Sequence, residues 1–184
     1  MSSRLPIWIA ALGNVAVVIA TIAVLGWDPS AAHAAARNSA RFSSLWCAFA
    51  LASPGLDRLV PNFLSETRLI RAFVAAHAVH YLSVATLLLA FERQHLWQQP
   101  GRAAASTAVG LLLLVLLLLT APATHGVALV VRQATLYLAS LIFFLAFVRH
   151  SLWPLRAIAF LMVSALAMRL ISRRNYRTAR ARAG

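Results

Sequence analysis

Six long apolar runs, separated by short stretches carrying arginine, proline or glycine, organise this chain. A helix crosses a bilayer with about 20 mostly apolar residues. The pattern therefore predicts six spans, at about 5–27, 41–60, 69–91, 103–121, 127–148 and 152–171. Asn14 is the one strongly polar residue inside the first run, and Pro54, Gly55 and Asp57 interrupt the end of the second. The stretch 111–119 is nearly pure Leu. Such a stretch has no polar face, so the fourth span is expected to give much of its surface to lipid. Ala32-His33-Ala34 has the form of a cleavage site behind a short basic start, but the apolar run ahead of it is long for a signal peptide. The expectation is an uncleaved first span and a single all-α domain over 1–184, an integral membrane six-helix bundle. Residues 172–184 would form a basic tail, disordered against anionic headgroups.

Composition strengthens this reading. Of the 184 residues 61% are hydrophobic and 11% charged, against roughly half and a quarter in a soluble domain. Mean hydropathy is +0.78. The formal charge is +13, and all 17 basic residues are arginines. They punctuate apolar runs instead of covering a solvated face, which fits membrane loops and not nucleic-acid binding. With both termini on one side, that side carries 11 arginines and the other 6. The positive-inside rule then predicts cytoplasmic termini in an inner membrane. Trp8, Trp27, Trp97 and Trp153 fall near span ends, as an aromatic belt requires.

Candidate chemistry is sparse. His77 and His80 stand three apart in the third span and share a helix face, about 60° apart. Polar residues at mid-membrane depth need partners and mark functional sites. Two readings stand: a haem or metal site, or two histidines hydrogen-bonded to neighbouring helices. His33, His95, His125 and His150 fall in loops or interfaces. Asp28, Asp57, Glu66 and Glu92 all lie near span ends, so no buried carboxylate marks a proton-coupled transporter. Single Cys47 excludes an internal disulfide and any CxxC motif. There is no Ser/His/Asp arrangement, phosphate loop or HExxH motif.

Three stretches carry a resemblance. They are Arg37-Asn38-Ser39-Ala40-Arg41-Phe42, Arg68-Leu69-Ile70-Arg71-Ala72-Phe73 leading to His77 and His80, and Arg132-Gln133-Ala134-Thr135-Leu136-Tyr137 leading to 141–144. Together they resemble the ferric-reductase-like transmembrane domain. The resemblance implies six helices, with the third and fifth parallel and clamping haem b between histidines at matching depth. Of His77 and His80, one would be the span-three ligand and the other its hydrogen-bond partner or a neighbour of the propionates. The span-five ligand position falls on Gln133, a poor ligand for haem iron, and no second histidine lies one haem layer further along span three. At most one haem is implied. The iron would then have one protein ligand, or borrow His125, or the haem would be lost; Gln133→His would restore a ligand.

The family's flavin and nicotinamide domain is not present in these 184 residues. Electrons would have to come from a quinone or a separate flavoprotein. The expected function is a haem-binding protein that carries electrons across or within the membrane. The rival is a haem-free member of the same fold, serving as a structural or assembly subunit.

Overall fold

The computed structural model describes residues 4–59, 65–91, 100–148 and 153–183, with side chains at 58–59, 100–106, 153–155 and 173–183 outside the description. Among the described residues the chain is all α: α1 (Leu5–Leu25), α2 (Pro29–Leu59), α3 (Glu66–Phe91), α4 (Pro100–Thr120), α5 (Gly126–Val148) and α6 (Trp153–Ala183). Three of these, α1, α3 and α5, are long and apolar enough to cross a membrane, and 107–120 of α4 is a shorter apolar stretch. Large apolar side chains face outward along them, among them Leu12, Ile19, Leu119 and Val130. An outward apolar surface of this kind fits a lipid environment.

Helix α2 begins twelve residues before the expected start at 41, because its entry is built locally. Gly26 ends α1 at a positive φ of 95°, its N–H bonded to Ile22 O at 2.8 Å. Only a residue without Cβ enters that region freely. Asp28 then caps α2: its Oδ1 accepts the Ala31 N–H at 2.9 Å, and Pro29 takes the first helical position. That N–H holds the Asp28 carboxyl below its ordinary range. The alanines that follow favour helix, and Ala31 and Ala35 are buried under neighbouring helices. What reads as a polar loop over 27–38 is therefore mostly helix. His33, expected in a loop, is half-buried in α2.

The tail differs from expectation in the same direction. Helix α6 runs to Ala183 instead of ending near 171. Alternating Ala and Arg are among the best helix formers, so the basic tail continues the helix.

Small residues let the helices meet closely. Ala10 of α1 packs on Ala72 and Ala76 of α3, and Asn14 Nδ2 donates to Ala76 O at 2.5 Å. Gly55 of α2 lies against Met168 of α6, where an added Cβ would meet Met168 Cβ at 3.1 Å and its carbonyl at 3.3 Å. The main core joins α2 through α6, with Leu51, Phe73, Leu117, Leu136 and Met162 at its centre.

Helices α3 and α5 run parallel and in step. Glu66 pairs with Arg132 at one end, while further along both helices Phe73 and His77 meet Phe143, with ring centroids 5.9 and 5.3 Å apart.

Candidate functional site

A cavity of about 700 Å³ opens between α2, α3, α4 and α5. Its walls are mostly carbon: Leu113 and Leu117 from α4, and Ile142, Phe143 and Phe147 from α5. Polar groups come from two helices. Helix α3 supplies His77, His80 and Tyr81, and α2 supplies Arg37 and Arg41. Its size and its few convergent polar groups are those of a ligand site.

His77 is anchored by a hydrogen bond from or to α2. Its Nδ1 lies 2.9 Å from Ser43 Oγ, and that hydroxyl donates to Ala40 O at 3.0 Å. The Ser43–His77 contact can form with either group as donor, and it fixes how the imidazole is turned. The ring lines the cavity. Hydrogen bonds to one ring nitrogen orient histidines that bind metals through the other. Phe73 stacks on the imidazole, and Tyr81 and Phe143 meet it edge-on.

His80 stacks on His77 with ring centroids 5.0 Å apart, and its Nδ1 is buried with no hydrogen-bond partner. Arg41 is steadied by Asn38, whose Oδ1 accepts from Nη1 at 2.7 Å, while its Nε is buried without a partner. Asn38 in turn donates to Thr21 of α1 at 3.2 Å. Tyr81 fits because α4 has Gly110 opposite, where its hydroxyl occupies the space a Cβ would take.

Gln133 does not line this cavity. It lies one residue from Arg132, at the level of Glu66, and His77 is eleven residues further along α3, about 16 Å away along the helix axis. The Gln133 amide oxygen accepts a hydrogen bond from Arg169. The structure thus brings His77 and His80 together and places Gln133 in a separate cluster.

That cluster was not legible as a unit. Arg132 and Arg169, read from sequence among the charges flanking the spans, are both buried, at 7% and 0% exposure. They share one carboxylate: Arg132 Nη2 lies 3.1 Å from Glu66 Oε2, and Arg169 Nη2 lies 2.6 Å from Oε1. Backbone carbonyls take the Nη1 donors, while the Nε of each arginine is buried without a partner. Arg132 Nη1 donates to Ala121 O and Ala123 O, closing the turn between α4 and α5. Arg169 Nη1 donates to Leu51 O at 3.0 Å and Ala50 O at 3.4 Å. Its guanidinium also lies over the Tyr137 ring at 5.6 Å. Each buried cation is therefore paired, as burial demands.

The remaining candidates lie elsewhere. His125 is exposed in the turn before α5 and bonds Thr124 Oγ1 at 2.9 Å, away from the cavity. His95 and His150 are outside the described residues. Cys47 is buried, with Sγ 3.5 Å from Ser140 Oγ. Among the described residues no group of three His, Cys, Asp or Glu side chains converges to hold a metal ion by itself. No family model, curated protein or solved structure matches this chain.

Proposed function

We propose that this chain is a six-span membrane protein that binds one haem b in the cavity beside α3 and carries electrons within the bilayer. The observation that carries the reading is His77. Its Nδ1 is engaged by Ser43 Oγ at 2.9 Å, and its ring lines an apolar cavity of about 700 Å³. Imidazole with a committed second nitrogen is the common protein ligand of haem iron.

The chain's own residues have separate tasks in this reading. His77 holds the iron. Arg37 and Arg41 offer charge for carboxylates at the α2 wall, where Arg41 Nε has no protein partner. The apolar walls of α4 and α5 exclude water and so raise the weight of every charge placed inside. The haem supplies one-electron chemistry when bound, and the protein sets its potential through ligand and surroundings. A quinone or a separate flavoprotein would supply electrons. The resemblance to ferric-reductase-like membrane domains and the parallel run of α3 and α5 support the same reading, and the arginine asymmetry supports an inner-membrane location with cytoplasmic termini.

The test is the visible spectrum of the purified chain, before and after titration with hemin. A Soret band that is lost in His77→Ala is the expected result. If wild type neither carries nor takes up haem, the reading falls.

One observation favours the rival, a haem-free structural subunit: Gln133, at the position the resemblance assigns to a ligand, is committed to Arg169. A partner protein that co-purifies with a chain lacking any Soret band would support that rival.

A further inference from the structure

We infer that the cavity is also a binding site for a long-chain carboxylate drawn from the bilayer, its head held by Arg41 and Arg37 and its chain lying along α4 and α5. The inference goes beyond the haem reading and needs no iron ligand, since it rests on the arginines and the apolar walls.

The cavity has two unlike ends, which follows from how its helices run. Ser43 of α2 meets His77, while Ala32 and Ala36 pack with Leu87, so α2 runs antiparallel to α3. Arg37 therefore stands near the level of Val84, and Arg41 one turn deeper. Helix α4 is also antiparallel to α3, with Gly110 at Tyr81 and Ala121 at Thr67. Leu117 consequently lies level with Phe73, where α5 adds Ala139. From Phe73 to Val84 is about 16 Å along the helix axis. One end of this slot carries two guanidiniums and the other is carbon. That division suits a single chain with one charged end, and a cavity of about 700 Å³ has the size to enclose one small ligand.

Arg41 is presented to the slot by the protein. Its Nη1 donates to Asn38 Oδ1 at 2.7 Å, and Asn38 is itself tied to Thr21 of α1. Asn38 is neutral, so this bond sets the direction of the guanidinium without balancing its charge. Arg132 and Arg169, by contrast, share the carboxylate of Glu66. The Nε of Arg41 is buried without a partner. In a guanidinium, Nε and Nη2 form an edge that matches both oxygens of a carboxylate. Arg37, one turn earlier on the same helix face, adds a second positive charge at the mouth. A cation whose Nε is buried calls for a counter-charge, and a carboxylate supplies it in the geometry that edge requires.

The way in is from the side. The lining residues Val109 of α4 and Ile142 of α5 are 51% and 43% exposed. They belong to the outward apolar surface that fits lipid. An opening there admits a molecule dissolved in the membrane, which a small water-soluble carboxylate is not.

The experiment uses the full-length chain, purified without added haem in a nonionic detergent, with palmitate, methyl palmitate and phosphatidylglycerol as probes and native mass spectrometry as the readout. The expected result is one palmitate per chain, bound about tenfold or more tighter than its ester and weakened to a similar degree in Arg41→Gln. The ester comparison needs no variant, so it decides the matter even if Arg41→Gln does not fold. Equal binding of acid and ester overturns the inference, because the arginines then hold no head. Preference for phosphatidylglycerol overturns it too, by naming a two-chained phospholipid as the occupant. Hemin titration of the same sample separates the two readings. Haem uptake with no palmitate adduct overturns this inference and leaves the haem site standing, whereas palmitate binding in a chain that takes up no haem supports it and removes the proposed function.

Discussion

Arg169 of α6 donates to the carbonyl of Ala50 in α2, the group that Pro54 leaves without a helical partner. Proline has no N–H to give to the carbonyl four residues back. Ala50 is fully buried, so no solvent replaces it and another part of the protein must. Ser53 Oγ gives a second bond to the same oxygen at 2.9 Å. The proline therefore does not break α2; it makes an acceptor around which α2, α3, α5 and α6 are joined through one guanidinium.

The charge arrangement gives an ordered prediction. Two buried guanidiniums share the single carboxylate of Glu66. Glu66→Gln removes the counter-charge of both and is expected to cost about 3–5 kcal/mol, the range for breaking a buried pair. Arg169→Met leaves Arg132 and Glu66 as a balanced pair and strands neutral acceptors, at about 1–3 kcal/mol. Thermal unfolding in detergent should show the larger loss for Glu66→Gln. The reverse order would mean that carbonyl capping, not charge balance, governs the cluster.

The same α2–α6 contact predicts the effect of one added methyl. A Cβ at Gly55 would meet Met168 side chain and backbone within 3.1–3.3 Å. The Met168 thioether end can swing away, but its carbonyl cannot. Gly55→Ala should destabilise by about 1–3 kcal/mol, the usual cost of overpacking. A melting temperature equal to wild type would show that the two helices separate freely there.

Topology is testable without purification. Reporter fusions at Gly184 and in the stretch 92–99 should report opposite sides, with Gly184 cytoplasmic, as the arginine asymmetry requires. A periplasmic Gly184 would reverse the orientation and leave the histidine site untouched.

The apolar periodicity made the helices legible, because lipid-facing and core-facing residues are both apolar over about 20 positions. It misplaced the start of α2, since Arg37 and Asn38 read as loop and Arg41 as the first residue of the span. Their polar groups are in fact taken up by one another and by Thr21 or turned to the cavity. His77 and His80 were found by depth alone. Ser43 was not, for its role is a contact across thirty-four residues that no local pattern encodes. Arg132 and Arg169 misled for the opposite reason. In sequence a buried arginine near a span end is indistinguishable from a solvated one, and only packing separates them.

Ser43 can be tested on its own. Ser43→Ala removes the hydroxyl that engages His77 Nδ1 and frees the ring to turn or change tautomer. Loss of the hydrogen-bond partner of a metal-binding histidine typically weakens the site about 10–100-fold. Hemin titration of the variant should show that weakening, with thermal stability close to wild type. Unchanged affinity would mean that His77 does not hold the iron through Nε2.

The register between α3 and α5 yields the sharpest contrast. Both helices advance eleven residues between the Glu66–Arg132 pair and the His77–Phe143 contact, so Phe143 is the α5 residue level with His77. Gln133 is roughly 15 Å lower along the axis. Matching depth is what two axial ligands of one haem need. Phe143→His is therefore expected to place a second imidazole beside His77 and to alter the Soret band of the hemin-loaded chain. Gln133→His is expected to leave the Soret band where it is and to lower thermal stability, because it removes the amide oxygen that Arg169 uses. The two variants should be compared under identical hemin loading, reduced and oxidised. A new low-spin spectrum in Gln133→His, with none in Phe143→His, would show that the haem lies a full level lower, among the arginines instead of beside His77.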